Sequence, residues 1–328
     1  MSSKASGAAI RSAQPGRILV CFDFEGAYGM PHDARYDVVS AARRILDRLA
    51  AFGVPAVFFV VGRLAEEHPG LIDEISHAGH EIGLHGYDHD DLAAYNAERL
   101  SVLDRNLARV ETLIGDITGS PPIGFRAPYL LGPRFYRREV YDLLADHGYR
   151  WVSNREIRYP VELLRPDRLP LPRPWRHIPA AAAARVASSR VILACLNARL
   201  VARETFAGSA PGRLRWLLDG RPPFRRDRLT EIPLYAPLDC DLLGLPAPQQ
   251  DTEPYLLAYA RSALRDAVAR SAAVGMVTFH DWIVAGGNRL VLLDEVLKTA
   301  EKAGLAVSTI AGSAHWLAEP GAGPATPA

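Results

Sequence analysis

The sequence predicts an α/β fold built on a parallel β-sheet that is either open or closed into a barrel. Short apolar runs typical of buried strands alternate with longer stretches in which apolar residues recur at helical spacing. The run VPAVFFVVG is continuously apolar, as expected of a strand that is covered on both faces. Strand–helix alternation sustained along 328 residues favours a parallel sheet over other α/β arrangements.

The elements follow from these two periodicities. Gly53 ends the first predicted helix, and Pro69 interrupts the second because proline has no backbone N–H to donate. The predicted strands, in chain order, are RILVCFDF, VPAVFFVVG, HEIGLHG, IGFRAPY, YRWVSN, MVTFHDW and LAVSTI. The predicted helices are YDVVSAARRILDRLAAFG, RLAEEHPGLIDEISHAG, DLAAYNAERLSVLDRNLARVETLIG, PRFYRREVYDLLADHG, EPYLLAYARSALRDAVARSAAVG and NRLVLLDEVLKTAEKAG.

We expect a single domain over residues 17–317. Residues 1–16 and 318–328 are rich in small residues, proline and glycine, and are predicted to be disordered tails. Residues 155–230 break the alternation and are rich in arginine and proline, which predicts a basic insertion. Two interpretations of the insertion stay open. It is either a solvated irregular segment or a surface for an anionic partner or membrane, since basic segments with Trp and Leu favour anionic headgroups.

Composition excludes several classes of protein. The formal net charge is +1, so the chain as a whole gives no reason to expect a nucleic-acid partner. Cys21, Cys195 and Cys240 are widely spaced and odd in number, which argues against a disulfide framework or a thiolate metal site. No stretch resembles a signal peptide or a membrane span, so we expect a cytoplasmic protein.

Two carboxylates end the first predicted strand. Asp23 and Glu25 are two positions apart, and residues at that spacing point to the same face of a strand. Like charges at one strand end repel each other unless a positive group lies beside them. A cation-binding role is therefore the first hypothesis for this edge of the sheet.

Histidines at the third strand supply the remaining ligands. His85 and His89 have HxxxH spacing and can reach one metal ion, and two imidazoles with a carboxylate are a common catalytic zinc set. We therefore predict a divalent cation, expected to be zinc, bound by Glu25, His85 and His89. Asp23 remains beside it as a base acting on water.

These motifs resemble the polysaccharide deacetylase family, also called carbohydrate esterase family 4. The resemblance rests on D-x-E at the first strand, HxxxH at the third, R-A-P-Y at the next and an apolar run ending in histidine late in the chain. It extends from about residue 17 to residue 317 and is interrupted by the basic segment. It implies a distorted (β/α)7-type barrel and metal-assisted hydrolysis of an N-acyl or O-acyl group, usually an N-acetyl group on an amino sugar.

The resemblance also implies individual roles. Asp23 matches the catalytic base, and Arg126 matches the arginine that positions it. The backbone N–H of Tyr129 matches the oxyanion donor, and His280 matches the general acid for the leaving amine. Glu25, His85 and His89 match the metal ligands.

The chain departs from the family pattern at three positions. Gly86 replaces the usual Ser or Thr of the second motif, and Asp88 is a candidate to compensate for the missing hydroxyl. Val152 stands where relatives often carry an Asp, so either Asp281 or Asp239 is expected to be the partner of His280. Glu25 replaces the commoner Asp, and its longer side chain could favour a different cation.

The expected activity is that of an N-deacetylase or deformylase. The pattern places the chain in the D-x-D/E branch, which includes enzymes that act on amino sugars attached to polyprenyl phosphate. We therefore expect a lipid-linked amino sugar as substrate, with peripheral contact to the inner face of the cytoplasmic membrane through residues 155–230. The alternatives are a soluble amino sugar or antibiotic intermediate, a non-sugar amide or cyclic imide, and a catalytically silent binding protein.

Overall fold

A computed structural model describes residues 16–29, 36–92, 96–130, 137–154, 223–234, 238–243, 257, 260–261, 264–265, 268 and 274–311. The predicted tails, apart from residue 16, and residues 155–222 of the predicted insertion lie outside these residues. Within them, no helix combines the length and apolar character needed to cross a bilayer.

The described strands form one sheet. They are β1 (Arg17–Phe24), β2 (Val57–Val60), β3 (Glu81–Leu84), β4 (Gly124–Phe125), β5 (Trp151–Val152), β6 (Phe224–Arg226), β7 (Leu229–Glu231), β8 (Val274–His280) and β9 (Ala306–Val307). Their order is β6-β7-β5-β4-β3-β2-β1-β8, and β9 pairs with the beginning of β1. All pairings are parallel except β6 with β7.

The described helices are α1 (Val38–Phe52), α2 (Gly62–Glu67), α3 (Pro69–His77), α4 (Ala97–Thr118), α5 (Arg138–Asp146), α6 (Asp239–Leu243), α7 (Asp281–Val284) and α8 (Val291–Lys302). Local signals explain the boundaries. Asp37 caps α1 by accepting from the N–H groups of Val39 and Ser40, and Gly53 ends it in the left-handed conformation. Pro69 opens α3, as predicted.

The sheet curls, so that side chains from distant strands meet on its inner face. Phe59 on β2 and Trp151 on β5 lie three strands apart, yet their ring centroids are separated by only 5.5 Å. A flat sheet would keep those strands about 14 Å apart. The inner face is apolar at its floor, where Leu19, Cys21 and Met276 pack with these rings. The outer face packs against the helices, and the two layers confirm the predicted distorted (β/α)7-type barrel.

Three details differ from the sequence prediction. The helix predicted from residue 91 begins at Ala97 because Asn96 caps it by accepting from the Arg99 N–H. Strands β4, β5 and β9 are only two residues long. The segment 223–231, most of which was assigned to the basic insertion, forms the antiparallel pair β6–β7, and β7 joins β5 in the sheet.

Candidate active site

The candidate site lies where β1, β3, β4 and β8 end. Alternation along β1 sends Phe22 and Phe24 to the helix-covered face and Cys21 to the inner face. Asp23 and Glu25 continue the inner-facing series, and both are almost completely buried, with 4% and 3% exposure. Buried carboxylates of this kind need compensating positive charge or hydrogen-bond donors.

Glu25 meets two imidazoles. Its Oε1 atom lies 3.2 Å from Nε2 of His85 and 3.0 Å from Nε2 of His89, and all three side chains are buried. The other ring nitrogen of His85, Nδ1, is 2.9 Å from the Arg126 carbonyl oxygen, to which it can only donate. In the neutral imidazole of His85, the Nε2 lone pair therefore faces a carboxylate oxygen, and a cation between them would satisfy both.

This arrangement fits a divalent metal ion. The three ligand atoms all lie within 4.8 Å of one another. Burial raises the pKa of Glu25, but the positive charge of His280 and the contacts of the carboxylate with the His85 and His89 rings outweigh it and hold the pKa well below its usual range. Glu25 is therefore ionised and available as a ligand. Two imidazoles and a carboxylate suit zinc and leave further coordination positions open.

The loop that carries the histidines is held by α2. The N–H of Gly62 donates to the carbonyl oxygen of Gly86 across 2.9 Å, and Arg63 pairs with Asp88. Gly86 and His89 both adopt positive φ, 71° and 58° respectively. Asp88 thus anchors the loop in which Gly86 replaces the usual hydroxyl residue.

Sequence reasoning missed a further contact to Glu25. The indole N–H of Trp282 donates to Glu25 Oε2 across 3.0 Å, which leaves Oε1 to face the two histidines. The only signal in the sequence was an aromatic residue two positions after His280. Asp281, between them, faces elsewhere and accepts from the Glu25 and Gly26 N–H groups and from the Tyr36 hydroxyl.

Asp23 lies against Arg126, and a carboxylate oxygen of Asp23 also lies within 4.8 Å of ligand atoms of Glu25 and His280. The guanidinium NH1 of Arg126 donates to Asp23 Oδ1 across 2.6 Å and to Thr278 Oγ1 across 2.8 Å. Arg126 is fully buried, stacks over the Phe59 ring at 4.0 Å and also donates to the Ser153 carbonyl oxygen and hydroxyl. This buried contact sets the direction of the Asp23 carboxylate.

His280 is paired with Asp239, which resolves the alternative that the sequence left open. Nδ1 of His280 lies 2.6 Å from Asp239 Oδ1, and the backbone N–H of His280 donates to Oδ2 across 2.8 Å. The Nε2 atom faces Glu25 Oε1 at 3.9 Å. Burial lowers the pKa of His280, but the charges of Asp239 and Glu25 outweigh it and raise the pKa to about 10. His280 is therefore a protonated imidazolium directed at the centre of the site.

Tyr129 borders the same site. It adopts a positive φ of 58° in a turn closed by the Leu130 N–H and the Ala127 carbonyl oxygen. Its side chain is 70% exposed, and its ring lies edge-on to His89 at a centroid distance of 4.7 Å. Within the described part of the chain, no backbone carbonyl accepts from the Tyr129 N–H, so this donor is available to a ligand. All seven predicted site residues are thus connected by close contacts.

Comparison with known proteins agrees with this geometry. Residues 14–152 match the family model described as polysaccharide deacetylase. A peptidoglycan-N-acetylglucosamine deacetylase from Bacillus cereus is 34% identical over 86 residues, which cover 26% of this chain and 30% of that protein. A peptidoglycan deacetylase from Helicobacter pylori is 33% identical over 108 residues, which cover 33% of this chain and 34% of that protein. The chain thus spans about a third of the length of the curated relatives it matches.

A solved structure extends the likeness in fold to nearly the whole chain. A protein from Mycobacterium smegmatis, described as a polysaccharide deacetylase, aligns with a TM-score of 0.58 and 18% sequence identity. The alignment covers 94% of this chain and 92% of that one. At that identity the match concerns the fold. Asp239 and His280 lie beyond residue 152, so their place in the site rests on the geometry of this chain.

Proposed function

We propose that this protein is a metal-dependent amide hydrolase that removes an N-acyl group, acetyl or formyl, from an amino sugar, as the match of residues 14–152 to the polysaccharide deacetylase model supports. One observation carries the proposal. The Glu25–His85–His89 cluster lies beside two oriented pairs of opposite function, Asp23 with Arg126 and His280 with Asp239. The relatives described above are named as peptidoglycan deacetylases, and these names support an amino sugar as the substrate.

In this proposal Glu25, His85 and His89 hold one divalent cation, expected to be zinc. When bound, the cation supplies a Lewis acid that polarises the acyl carbonyl group. Trp282 holds the second oxygen of Glu25, and Arg126 holds His85 through its carbonyl oxygen. Such outer contacts fix the orientation of each ligand before the metal binds.

The remaining residues move protons and stabilise charge. Asp23, oriented by Arg126, takes a proton from the attacking water. The Tyr129 N–H donates to the acyl oxygen as negative charge develops there. His280 is protonated, and it delivers the Nε2 proton to the leaving amine while Asp239 holds Nδ1. The acid and the base therefore approach the reacting amide from different strands, β8 and β1.

In more specific terms, we propose that the substrate is a lipid-linked amino sugar and that the protein binds it at an anionic membrane surface. The support for this proposal is the arginine excess over residues 155–230. The described end of that segment places Arg225 and Arg228 at the surface on the β6–β7 pair. Each arginine near an anionic surface contributes on the order of 1 kcal/mol. The alternatives are a soluble amino sugar or antibiotic intermediate and a non-sugar amide or cyclic imide.

The test compares substrates on one preparation. Zinc-loaded protein is incubated with an N-acetylated chito-oligosaccharide, a polyprenyl-phosphate-linked N-acyl amino sugar and a cyclic imide, and acyl release is followed by mass spectrometry. We expect acyl release from an amino sugar, abolished by chelation and restored by zinc, and faster for the lipid-linked substrate on anionic vesicles. Turnover of the cyclic imide alone, or activity that survives chelation, would overturn the proposal.

A further inference from the structure

A buried hydrogen-bond chain supports the turn that follows β4. The side-chain oxygen of Asn154 accepts from the Ala127 N–H across 2.8 Å, and the backbone N–H of Asn154 donates to Glu231 Oε1 across 2.9 Å. The hydroxyl of Tyr141, on helix α5, donates to Glu231 Oε2 across 2.7 Å. This series of hydrogen bonds thus runs from the outer helix layer through β7 to the active-site turn.

Because this hydrogen-bond chain is buried, it costs free energy unless its polar groups have hydrogen-bond partners. Asn154 and Glu231 are fully inaccessible to solvent. A buried polar group costs several kcal/mol without partners, and a buried carboxylate costs more. An apolar residue at either position would pack at lower cost, so the polar chain needs a purpose other than stability.

The position of Ala127 indicates that purpose. Its neighbour Arg126 directs its guanidinium to Asp23 and its carbonyl oxygen to His85. Two residues further on lies the N–H of Tyr129, the proposed oxyanion donor. Ala127 therefore lies in the backbone between Arg126, which orients the base, and Tyr129, whose N–H is proposed to stabilise the oxyanion.

We propose that Asn154 and Glu231 are positioning residues, which hold the segment 126–129 so that Arg126 orients Asp23 and the Tyr129 N–H meets the substrate carbonyl. The inference rests on the proposed hydrolase function. Within the described part of the chain, neither side chain forms a hydrogen bond with Glu25, His85 or His89. Both act through Ala127, and a displacement of about 1 Å at such a donor can lower turnover about 10²-fold.

The expected effects separate positioning from general stability. Asn154→Ala removes the acceptor for the Ala127 N–H and should lower kcat about 10–100-fold, with KM changed less than about threefold. Zinc should still bind at saturating concentration, because Glu25, His85 and His89 are themselves unchanged. Glu231→Ala should behave like Asn154→Ala. Glu231→Gln should retain most of the activity, because its carbonyl oxygen can still accept from the Asn154 N–H.

The experiment combines kinetics with a structural readout. For the wild type and the three variants we would measure kcat and KM on an N-acetylated amino sugar, bound zinc, and NMR hydrogen exchange of the Ala127 amide. The proposal predicts faster Ala127 exchange and lower kcat in Asn154→Ala at full zinc occupancy. If Glu231→Ala does not fold, Asn154→Ala and Glu231→Gln carry the test.

Two failures are distinguishable. Equal Ala127 exchange in the wild type and Asn154→Ala, or an unchanged kcat with only a lower melting temperature, would overturn the positioning role. A wild type that releases no acyl group from any amino sugar would instead overturn the proposed function, whatever the exchange rates show.

Discussion

Asp239 accepts two hydrogen bonds from His280, one from the ring and one from the backbone. Oδ1 lies 2.6 Å from Nδ1, and Oδ2 lies 2.8 Å from the backbone nitrogen. Asp239 is fully buried and begins helix α6, whereas His280 ends β8. The double contact fixes the plane of the imidazole, assigns a proton to Nδ1 and turns Nε2 toward Glu25.

The first prediction follows from this contact. Asp239→Asn should lower kcat on an amide substrate by about 10²-fold, because the charge that stabilises the imidazolium of His280 is lost. Hydrolysis of 4-nitrophenyl acetate should fall much less, since its leaving group needs no proton. Steady-state kinetics on both substrates checks this, and equal losses on the amide and the ester would contradict a role in protonating the leaving group.

Much of the fold could be predicted because hydrophobic periodicity decides it locally. The long strands β1 and β8 and the capped helix α1 appear where the sequence places them. The pair β6–β7 could not be predicted, since its short segments are rich in arginine and have strand structure only because β7 pairs with β5. Tertiary pairing, rather than local preference, forms these strands.

The site, like the fold, contains residues that could be predicted from the sequence and residues that could not. Glu25, His85 and His89 could be predicted, because parallel strands bring their carboxyl ends to one edge. Asp239 could be named only as one of two candidates, since its approach to His280 depends on how α6 packs against β8. Trp282 carries no pattern in sequence that marks its contact with Glu25.

A second prediction separates the base from the ligand. Asp23→Asn should lower kcat about 10²–10⁴-fold and leave zinc bound, because Asp23 accepts from Arg126 and is not a member of the Glu25–His85–His89 group. The matched variant Glu25→Gln should lose zinc as well as activity. Metal content by elemental analysis, measured beside kcat, distinguishes the two. Loss of zinc from Asp23→Asn would mean that both carboxylates are ligands.

The third prediction concerns Trp282. Trp282→Phe keeps the aromatic bulk but removes the N–H that holds Glu25 Oε2, so the affinity for zinc should fall about 10–100-fold. Competition with a chromophoric chelator measures this. As a control, Tyr36→Phe removes a hydrogen bond to Asp281. Because Asp281 accepts from the backbone N–H of Glu25 and not from its side chain, this variant should change the affinity for zinc far less. Equal affinities in Trp282→Phe and the wild type would exclude this role.

The fourth prediction tests the loop between the two histidines. Gly86→Ser should destabilise this chain. Gly86 has a φ of 71°, and a Cβ there would lie 3.1 Å from Pro128 Cγ. A non-glycine residue in this conformation costs roughly 1–3 kcal/mol. Chemical denaturation should show that loss, and Gly119→Ser, where a Cβ meets nothing within 4 Å, separates the backbone cost from the clash.

The last prediction concerns acid stability and a histidine outside the site. His80 is buried, and its Nδ1 atom accepts the Ala56 N–H across 3.2 Å, which requires a neutral ring. Burial lowers the pKa of His80 from 6.5 to about 4. The unfolded chain therefore binds this proton at a higher pH than the folded chain does. The stabilisation is complete above about pH 6.5 and is lost progressively as the pH falls toward 4. The loss amounts to roughly 3 kcal/mol at most.

Denaturant unfolding at several pH values between 4 and 7.5 measures this effect. Carboxylates also titrate in that range, so the contribution of His80 is the difference between the wild type and His80→Asn, whose side-chain oxygen can still accept from Ala56. We expect the variant to lose less stability than the wild type as the pH falls. His77→Asn removes an exposed histidine from the end of α3 and should follow the wild-type curve. Parallel curves for the wild type and His80→Asn would show that His80 is not the buried neutral group.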